Sequence, residues 1–155
     1  MIRNERLPRS TDAGVAGDLF EDNGVTRTLI QKTADILLQF DKPVYIIPGN
    51  HDPVIPGSVW EHPAWAAANN LHILVDKKIV AIPGGVLYPC PVSDKYSTKD
   101  PTDWIQTESD NLIHIAMAHG NVEGLPEVAT DHPIPRNAVE RTGLNYLALG
   151  HWHST

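Results

Sequence analysis

Apolar residues follow two different periods along this chain. From Val25 to Phe40 they recur at the spacing of an amphipathic helix, which predicts a helix over this segment. Its apolar positions are Leu29, Ile30, Ile36, Leu37 and Phe40. Short apolar runs, Asp12–Ala16 and Val44–Ile47, flank it, and each ends at a polar segment that contains glycine, as buried strands do. The order strand, helix, strand predicts a parallel βαβ unit.

The rest of the chain continues this alternation and indicates an α/β fold class. A second helix is predicted around Val59 to Asn69, and a short one from Arg136 to Arg141 with Gly143 as its stop signal. Further strands are predicted at His72–Val75, Ile79–Ile82, Leu112–Ala118 and Tyr146–Leu149. The first two of these predict a hairpin, whereas segments 83–103 and 120–135, rich in proline and polar residues, are predicted loops.

Polar clusters that contain potential metal ligands follow four of the predicted strands. They are Gly17-Asp18, Gly49-Asn50-His51-Asp52, His119-Gly120 and Gly150-His151-Trp152-His153. Each cluster alone has an ordinary interpretation as a turn or a surface histidine. Ligands of α/β sheets gather at the carboxyl ends of strands, however, so all four are predicted to meet in one crevice. Carboxylate, amide and imidazole groups together favour manganese, iron or zinc, and two such cations can activate water and clamp a phosphoryl group.

Composition and charge narrow the interpretation only slightly. The chain has 155 residues, 41% of them apolar, and is predicted to form a single domain over residues 1–155. Its formal charge of -7 does not favour a chain that holds phosphate backbones through lysine and arginine alone, although bound cations would offset that charge. Cys90 is the only cysteine, and neither a signal peptide nor a membrane-spanning run is evident, so a cytoplasmic location is expected.

The four clusters together resemble the signature of the calcineurin-like metallophosphoesterases, in order and across nearly the whole chain. Within that superfamily, the phrases 16–22 and 146–153 are most similar to the DNA-repair exonuclease branch, the SbcD-type nuclease subunit. The resemblance implies a layered α/β sandwich of mixed sheets flanked by helices, with the metal site at the carboxyl ends of strands. It also implies a dinuclear metal-dependent phosphodiesterase that acts on DNA ends, with manganese as the expected metal and a Rad-type coiled-coil ATPase as partner.

The resemblance also assigns metal-binding roles to single residues. Asp18 would bridge both cations. One cation would take Asn50, His119 and His151, and the other would take His153. Alternation along the strand 112–118 places His114 on the face opposite His119, which excludes it from this site.

Catalytic roles follow in the same way for the second cluster and its neighbours. His51 would act as general acid or stabilise the transition state near the leaving oxygen. Glu21, three residues after the bridging aspartate, would orient His51 by hydrogen bonding. Asp52 is a further supporting candidate.

One departure from the family signature affects the second metal. The signature begins with an Asp-x-His motif upstream of the Gly-Asp loop, and no such motif precedes Asp18. We therefore expect a fragment that lacks its first strand and its C-terminal closing strands, with one tight metal and one weak or absent metal. Two alternatives to a nuclease stay open: a phosphoesterase that acts on nucleotides or other small phosphoesters, and an inactive metal-binding scaffold.

Overall fold

The computed structural model describes residues 12–67, 69–124 and 131–151. Two α-helices and nine strands lie in these ranges, together with two short 3-10 turns, Val59–Glu61 and Pro63–Ala67. In chain order the elements are β1 Ala13–Ala16, α1 Arg27–Leu37, β2 Val44–Ile47, β3 Leu71–Ile73, β4 Val80–Ile82, β5 Gly85–Cys90, β6 Ile113–His119, β7 Asn121–Val122, β8 Pro133–Ile134, α2 Ala138–Thr142 and β9 Tyr146–Gly150.

The strands form two main sheets and one short pair. The first sheet has the order β1-β2-β3, and all its strands are parallel. The second has the order β4-β5-β6-β9, in which β4 is antiparallel and the other strands are parallel. Strands β7 and β8 form a parallel pair. The predicted α/β class with mixed sheets is therefore confirmed.

The core lies in three layers of apolar side chains around the two sheets. Strand β2 is buried on both faces and shows the alternation directly: Val44 and Ile46 pack toward α1 and the two 3-10 turns, whereas Tyr45 and Ile47 pack against the second sheet. A third cluster, which includes Tyr88, covers the outer face of the second sheet. The sheets therefore stack face to face, as in a layered sandwich.

Helix α1 is shorter than predicted and buries a narrower stripe. Thr26 caps it, since its side chain accepts a hydrogen bond from the N–H of Leu29 at 3.3 Å. The buried positions are Ile30 and Ala34, while Ile36 is 60% exposed. No helix in the described part of the chain has the length and apolarity needed to span a bilayer.

The predicted helix from Val59 to Asn69 is wrong, because the segment forms two 3-10 turns separated by His62. Proline has no N–H to donate and disfavours helical backbone in the residue before it. His62, which precedes Pro63, is accordingly extended, with ψ of 131°. The turns still bury Trp60 and Trp65 against the first sheet, so the apolar pattern is used without a regular helix.

The predicted hairpin between residues 72–75 and 79–82 is also wrong. Strand β3 joins the first sheet and β4 joins the second, so the segment between them connects two layers. The partner of β4 is β5, a strand within the segment 83–103 that was predicted to be a loop. Because of Pro89, the segment was not predicted as a strand. Proline is tolerated at this position because β4 pairs only with residues Gly85 to Leu87 and does not extend to Pro89.

The structure differs from two further predictions, the loop 120–135 and the short helix 136–141. Residues 121–122 and 133–134 pair as β7 and β8, while α2 starts later than expected, at Ala138. Gly143 ends α2 with φ of 75°, a left-handed conformation that glycine adopts without strain, so the predicted stop signal is confirmed.

His114, at the start of β6, lies on the face opposite His119, as predicted. Its Nδ1 is 2.9 Å from the hydroxyl of Tyr88, and its Nε2 is 2.9 Å from a carboxylate oxygen of Asp110. The pKa of Asp110 is lowered, first by a hydrogen bond from the N–H of Leu112 and then by the bond to His114. This network satisfies polar groups behind the second sheet.

Candidate metal centre

Four of the predicted ligand residues meet at one point between the sheets. Asp18 and Asn50 follow β1 and β2 of the first sheet, whereas His119 and His151 end or follow β6 and β9 of the second. The Nε2 atom of His119 lies 2.8 Å from Oδ1 of Asn50, 3.0 Å from Nδ1 of His151 and 3.2 Å from Oδ2 of Asp18. The donor atoms of Asp18, His119 and His151 all lie within 4.8 Å of one another. Parallel strands in both sheets thus bring their carboxyl ends together.

The hydrogen bonding of His119 makes this cluster suitable for a cation. Its Nδ1 lies 2.9 Å from the carbonyl oxygen of Ala16, which can only accept, so Nδ1 carries the hydrogen. In the neutral ring, Nε2 then presents its lone pair to the oxygens of Asp18 and Asn50. A cation relieves the mutual repulsion of these lone pairs. Metal-binding histidines typically donate their other N–H to a backbone carbonyl in this way. The residues therefore fit a divalent transition metal.

Backbone strain is concentrated at the same cluster. Among described residues other than glycine, three have positive φ: Asp18 at 53°, His132 at 46° and His151 at 127°. Such conformations cost about 1–3 kcal/mol each and persist only where surrounding contacts fix them. Two of the three, Asp18 and His151, belong to the cluster, and backbone strain of this kind is typical of functional sites.

Two glycines allow the loops to approach this closely. A Cβ on Gly17 would overlap the His119 ring, and one on Gly49 would overlap Asp18. Gly17 also has φ of 89°, which disfavours any other residue. Packing therefore requires both glycines, and the backbone conformation requires Gly17 as well.

The electrostatics of the cluster favour a charged aspartate. Burial raises the pKa of Asp18, but the contact with His119 and the hydrogen bond from the N–H of His51, with the positive charge that either histidine carries when protonated, lower it to about 2. Burial lowers the pKa of His151, and a positive charge on His119, when that ring is protonated, adds to this effect. At neutral pH the cluster thus offers an ionised carboxylate and a neutral His151 as ligands.

His51 contacts Glu21 by a hydrogen bond, and the acceptor is the backbone carbonyl of Glu21. Nδ1 of His51 lies 3.0 Å from the carbonyl oxygen of Glu21, and the Glu21 carboxylate is 3.7 Å away with its side chain 89% exposed. The carbonyl accepts, so Nδ1 carries the hydrogen and the orientation of the ring is set. His51 also donates its own N–H to Asp18 at 3.0 Å.

Asp52 links the two loops of the first sheet and does not join the ligand atoms. It is fully buried and accepts hydrogen bonds from the N–H groups of Gly49 at 2.7 Å and Phe20 at 2.9 Å. Burial raises the pKa of Asp52, although both bonds oppose that shift. Asp52 thus fixes the distance between the Gly-Asp and Gly-Asn loops.

His153 lies outside the described residues, and so does Trp152. The assignment of His153 to a second cation, and the expected difference between a tight and a weak metal, therefore stay predictions.

The other side of the site comes from segments 83–103 and 120–135, which the sequence predicts to shape a substrate entrance without giving their contacts. A cavity of about 680 Å³ lies beside Asn50 and His151, and residues 96–99 and Asp131 form its remaining walls. The link between these segments is a hydrogen bond from the N–H of Ser97 to Asp131 at 2.7 Å. A contact between positions so distant in sequence has no local signal. The carbonyl of Ala16 was missed for the same reason.

Comparison with known proteins agrees with this arrangement. The chain is similar to a metallophosphoesterase of Bacillus subtilis (strain 168), YhaO, described as uncharacterized, with 25% identity over 154 residues. The match covers 90% of this chain but only 36% of that relative. The family model described as calcineurin-like phosphoesterase spans residues 12–155 and so includes every strand end that supplies a candidate ligand. The chain belongs to the calcineurin-like phosphoesterase family.

Proposed function

We propose that this chain is a phosphodiester hydrolase whose activity depends on two divalent cations. Membership of the metallophosphoesterase family indicates metal-dependent phosphoester hydrolysis as the general reaction. The observation that carries the proposal is the convergence of Asp18, Asn50 and His151 on Nε2 of His119. The side chains of Asp18, Asn50 and His119 are largely buried, so the cluster is already arranged for a ligand.

The residues divide into a group that would hold metal and a group that would act on the substrate. Asp18, Asn50, His119 and His151 would hold one cation, and Asp18 with His153 would contribute to a second. Manganese is the expected metal, with iron or zinc as alternatives for this ligand set. When bound, the cations supply Lewis-acid activation of water and neutralise the phosphate charge.

His51 is proposed to transfer a proton to the leaving oxygen. Its Nδ1 hydrogen bond to the Glu21 carbonyl fixes the tautomer and the ring orientation, which assigns the proton exchange to Nε2. The bond from its backbone N–H to Asp18 ties that ring to the metal-binding carboxylate. The side chain is 38% exposed, so a substrate can reach it.

Hydrolysis of bis(4-nitrophenyl) phosphate with added manganese tests the proposal. We expect metal-dependent turnover, and a decrease in kcat of about 10²–10⁴-fold for His51→Ala, the usual contribution of a general acid. His62→Ala is the matched control, because His62 accepts a bond from the N–H of Ala64 in a 3-10 turn away from the cluster. Equal turnover by His51→Ala and wild type would refute the role of His51.

Two narrower questions about substrate and partner accompany this proposal. The hypothesis of a DNA exonuclease follows from the sequence resemblance, whereas the charge of -7 favours nucleotides or other small phosphoesters as substrates. Comparing hydrolysis of single-stranded DNA ends with that of nitrophenyl esters separates the two. The Rad-type coiled-coil ATPase partner and the cytoplasmic location stay predictions from the sequence.

An inactive scaffold that binds one metal stays a further candidate from the sequence. Under that function the wild-type chain would bind manganese without turnover of any phosphoester. Wild-type turnover above the metal-only rate would exclude it.

A further inference from the structure

The cavity beside the candidate metal centre is larger than a phosphate group requires. Its volume of about 680 Å³ is in the range of sites that enclose whole small molecules, roughly 300–1,000 Å³. Asn50 and His151 line it on the side of the metal centre, and residues 96–99, here called the Tyr96 loop, form most of the rest of its wall. A substrate held at the metal centre would therefore extend toward the Tyr96 loop.

Hydrogen bonds hold the Tyr96 loop in place relative to the metal centre. Ser97 donates its N–H to Asp131 at 2.7 Å, and its carbonyl accepts the N–H of His132 at 2.7 Å. The carbonyl of Asp131 accepts a bond from the side chain of Asn121 at 2.9 Å. Asn121 lies two residues after His119, so the loop is tied to the strand that supplies a central ligand. Its side chains therefore have a fixed support.

Tyr96 presents an aromatic ring that packing does not explain. Its side chain is 73% exposed, the highest value among the large apolar residues that the structure describes. The Nζ atom of Lys95 lies 5.9 Å from the ring centroid, which is within range of a cation–π contact. A ring of this kind on the wall of a polar cavity is a platform for stacking a flat ligand.

Lys99 adds a positive charge to the same wall. It is exposed, and none of the described residues forms an ion pair with it. In a chain of net charge -7, a lysine that lines the same cavity as two of the candidate metal ligands is well placed for an anionic substrate.

We propose that the Tyr96 loop binds the nucleoside part of a phosphoester substrate, with the base stacked on Tyr96 and a phosphate oxygen paired with Lys99. This inference rests on the proposed function, since the phosphoryl group must sit at the metal centre. The combination of an aromatic face and a cation in the lining of one cavity fits a phosphate joined to a flat heteroaromatic ring. Every base has such a face, so the loop would accept different bases.

Binding calorimetry with manganese-loaded protein tests the inference without requiring turnover. The probes are thymidine 5'-monophosphate and ribose 5-phosphate, which differ in the base. Loss of one stacking contact of about 1–3 kcal/mol predicts that Tyr96→Ala weakens thymidine monophosphate binding about 5- to 150-fold. Ribose 5-phosphate binding should not change, and Tyr96→Phe should bind both probes like wild type.

Two further variants separate the contributions of the loop. Lys99→Gln should weaken both probes by the same factor, because it removes a phosphate contact and leaves the base contact. Tyr146→Ala is the matched control, since Tyr146 is a 60% exposed tyrosine on β9 that does not line this cavity. It should bind both probes like wild type.

Three outcomes would overturn the inference: equal affinity of wild type for both probes, equal weakening of both by Tyr96→Ala, or tighter binding of a phosphotyrosine peptide than of thymidine monophosphate. Hydrolysis of nitrophenyl esters is measured separately. If nitrophenyl esters are hydrolysed but the two probes bind with equal affinity, only the nucleoside subsite is refuted. If thymidine monophosphate binds more tightly than ribose 5-phosphate but no ester is hydrolysed, only the hydrolase activity is refuted.

Discussion

Manganese should stabilise this chain against heat, and the stabilisation should depend on His151. A ligand that binds only the folded state at about one hundred times its Kd adds about 2.7 kcal/mol to the free energy of unfolding. For a chain of this size each kcal/mol raises Tm by about 2–4 °C, so the expected shift is about 5–11 °C. Differential scanning fluorimetry with and without a chelator measures it.

Removing His151 takes away one of four donor groups, the Nδ1 that lies 3.0 Å from His119. If His151→Ala weakens the metal about one hundredfold, the same metal concentration adds only about 0.4 kcal/mol, or about 1–2 °C. His72→Ala is the matched control, because His72 stacks on Tyr45 at 4.9 Å and is not one of the cluster residues. It should keep the full shift. A full shift in His151→Ala, or its loss in His72→Ala, would refute the assignment of the metal centre.

Three other predictions concern packing, reactivity and pH. Gly17→Ala should lower the free energy of unfolding, measured in urea, by about 2–5 kcal/mol, because it adds a clash with His119 to the strain of positive φ. Gly57→Ala, with φ of 79° and open space around the new Cβ, should lower it by only about 1–2 kcal/mol. Equal decreases in the two variants would contradict the clash. Burial raises the pKa of the Cys90 thiol to about 12, so a thiol reagent should modify it only in denaturant, and native labelling would contradict this. The lowered pKa of Asp110 means that its stabilising effect is present above its ordinary value of 3.8 and lost as the pH falls through the lowered value; the stability difference between wild type and Asp110→Asn should therefore disappear in acid.

The parts of this fold that the sequence predicted are those with a strong local signal. Val44–Ile47 is a β-branched and aromatic run with turn residues after it, and it forms a strand at those same residues. The glycine-bearing clusters after the strands identified the positions of Asp18, Asn50 and His119, because ligand-bearing residues there meet whenever the strands are parallel.

The parts that were mispredicted depend on partners distant in the chain. Nothing local indicates that β3 pairs with β2 while β4 pairs with β5, so a short connection between them looked like a hairpin. Pro89 has a low strand propensity, which overstated loop at β5. The predicted helix 59–69 is an exception, because there the apolar spacing was given more weight than the local helix-breaking signal of Pro63. The backbone acceptor for His119 and the attachment of Ser97 to Asp131 arise only once the sheets are packed.

The four donor groups of the metal centre come in equal number from the two sheets, which gives a bound cation a mechanical role. Asn50 and His151 are 101 positions apart, so an ion held between them would close a long loop of the chain. A covalent cross-link that closes a loop of about one hundred residues is worth about 4.7 kcal/mol in the chain-entropy account. The cation would act as a reversible cross-link between the two layers of the fold.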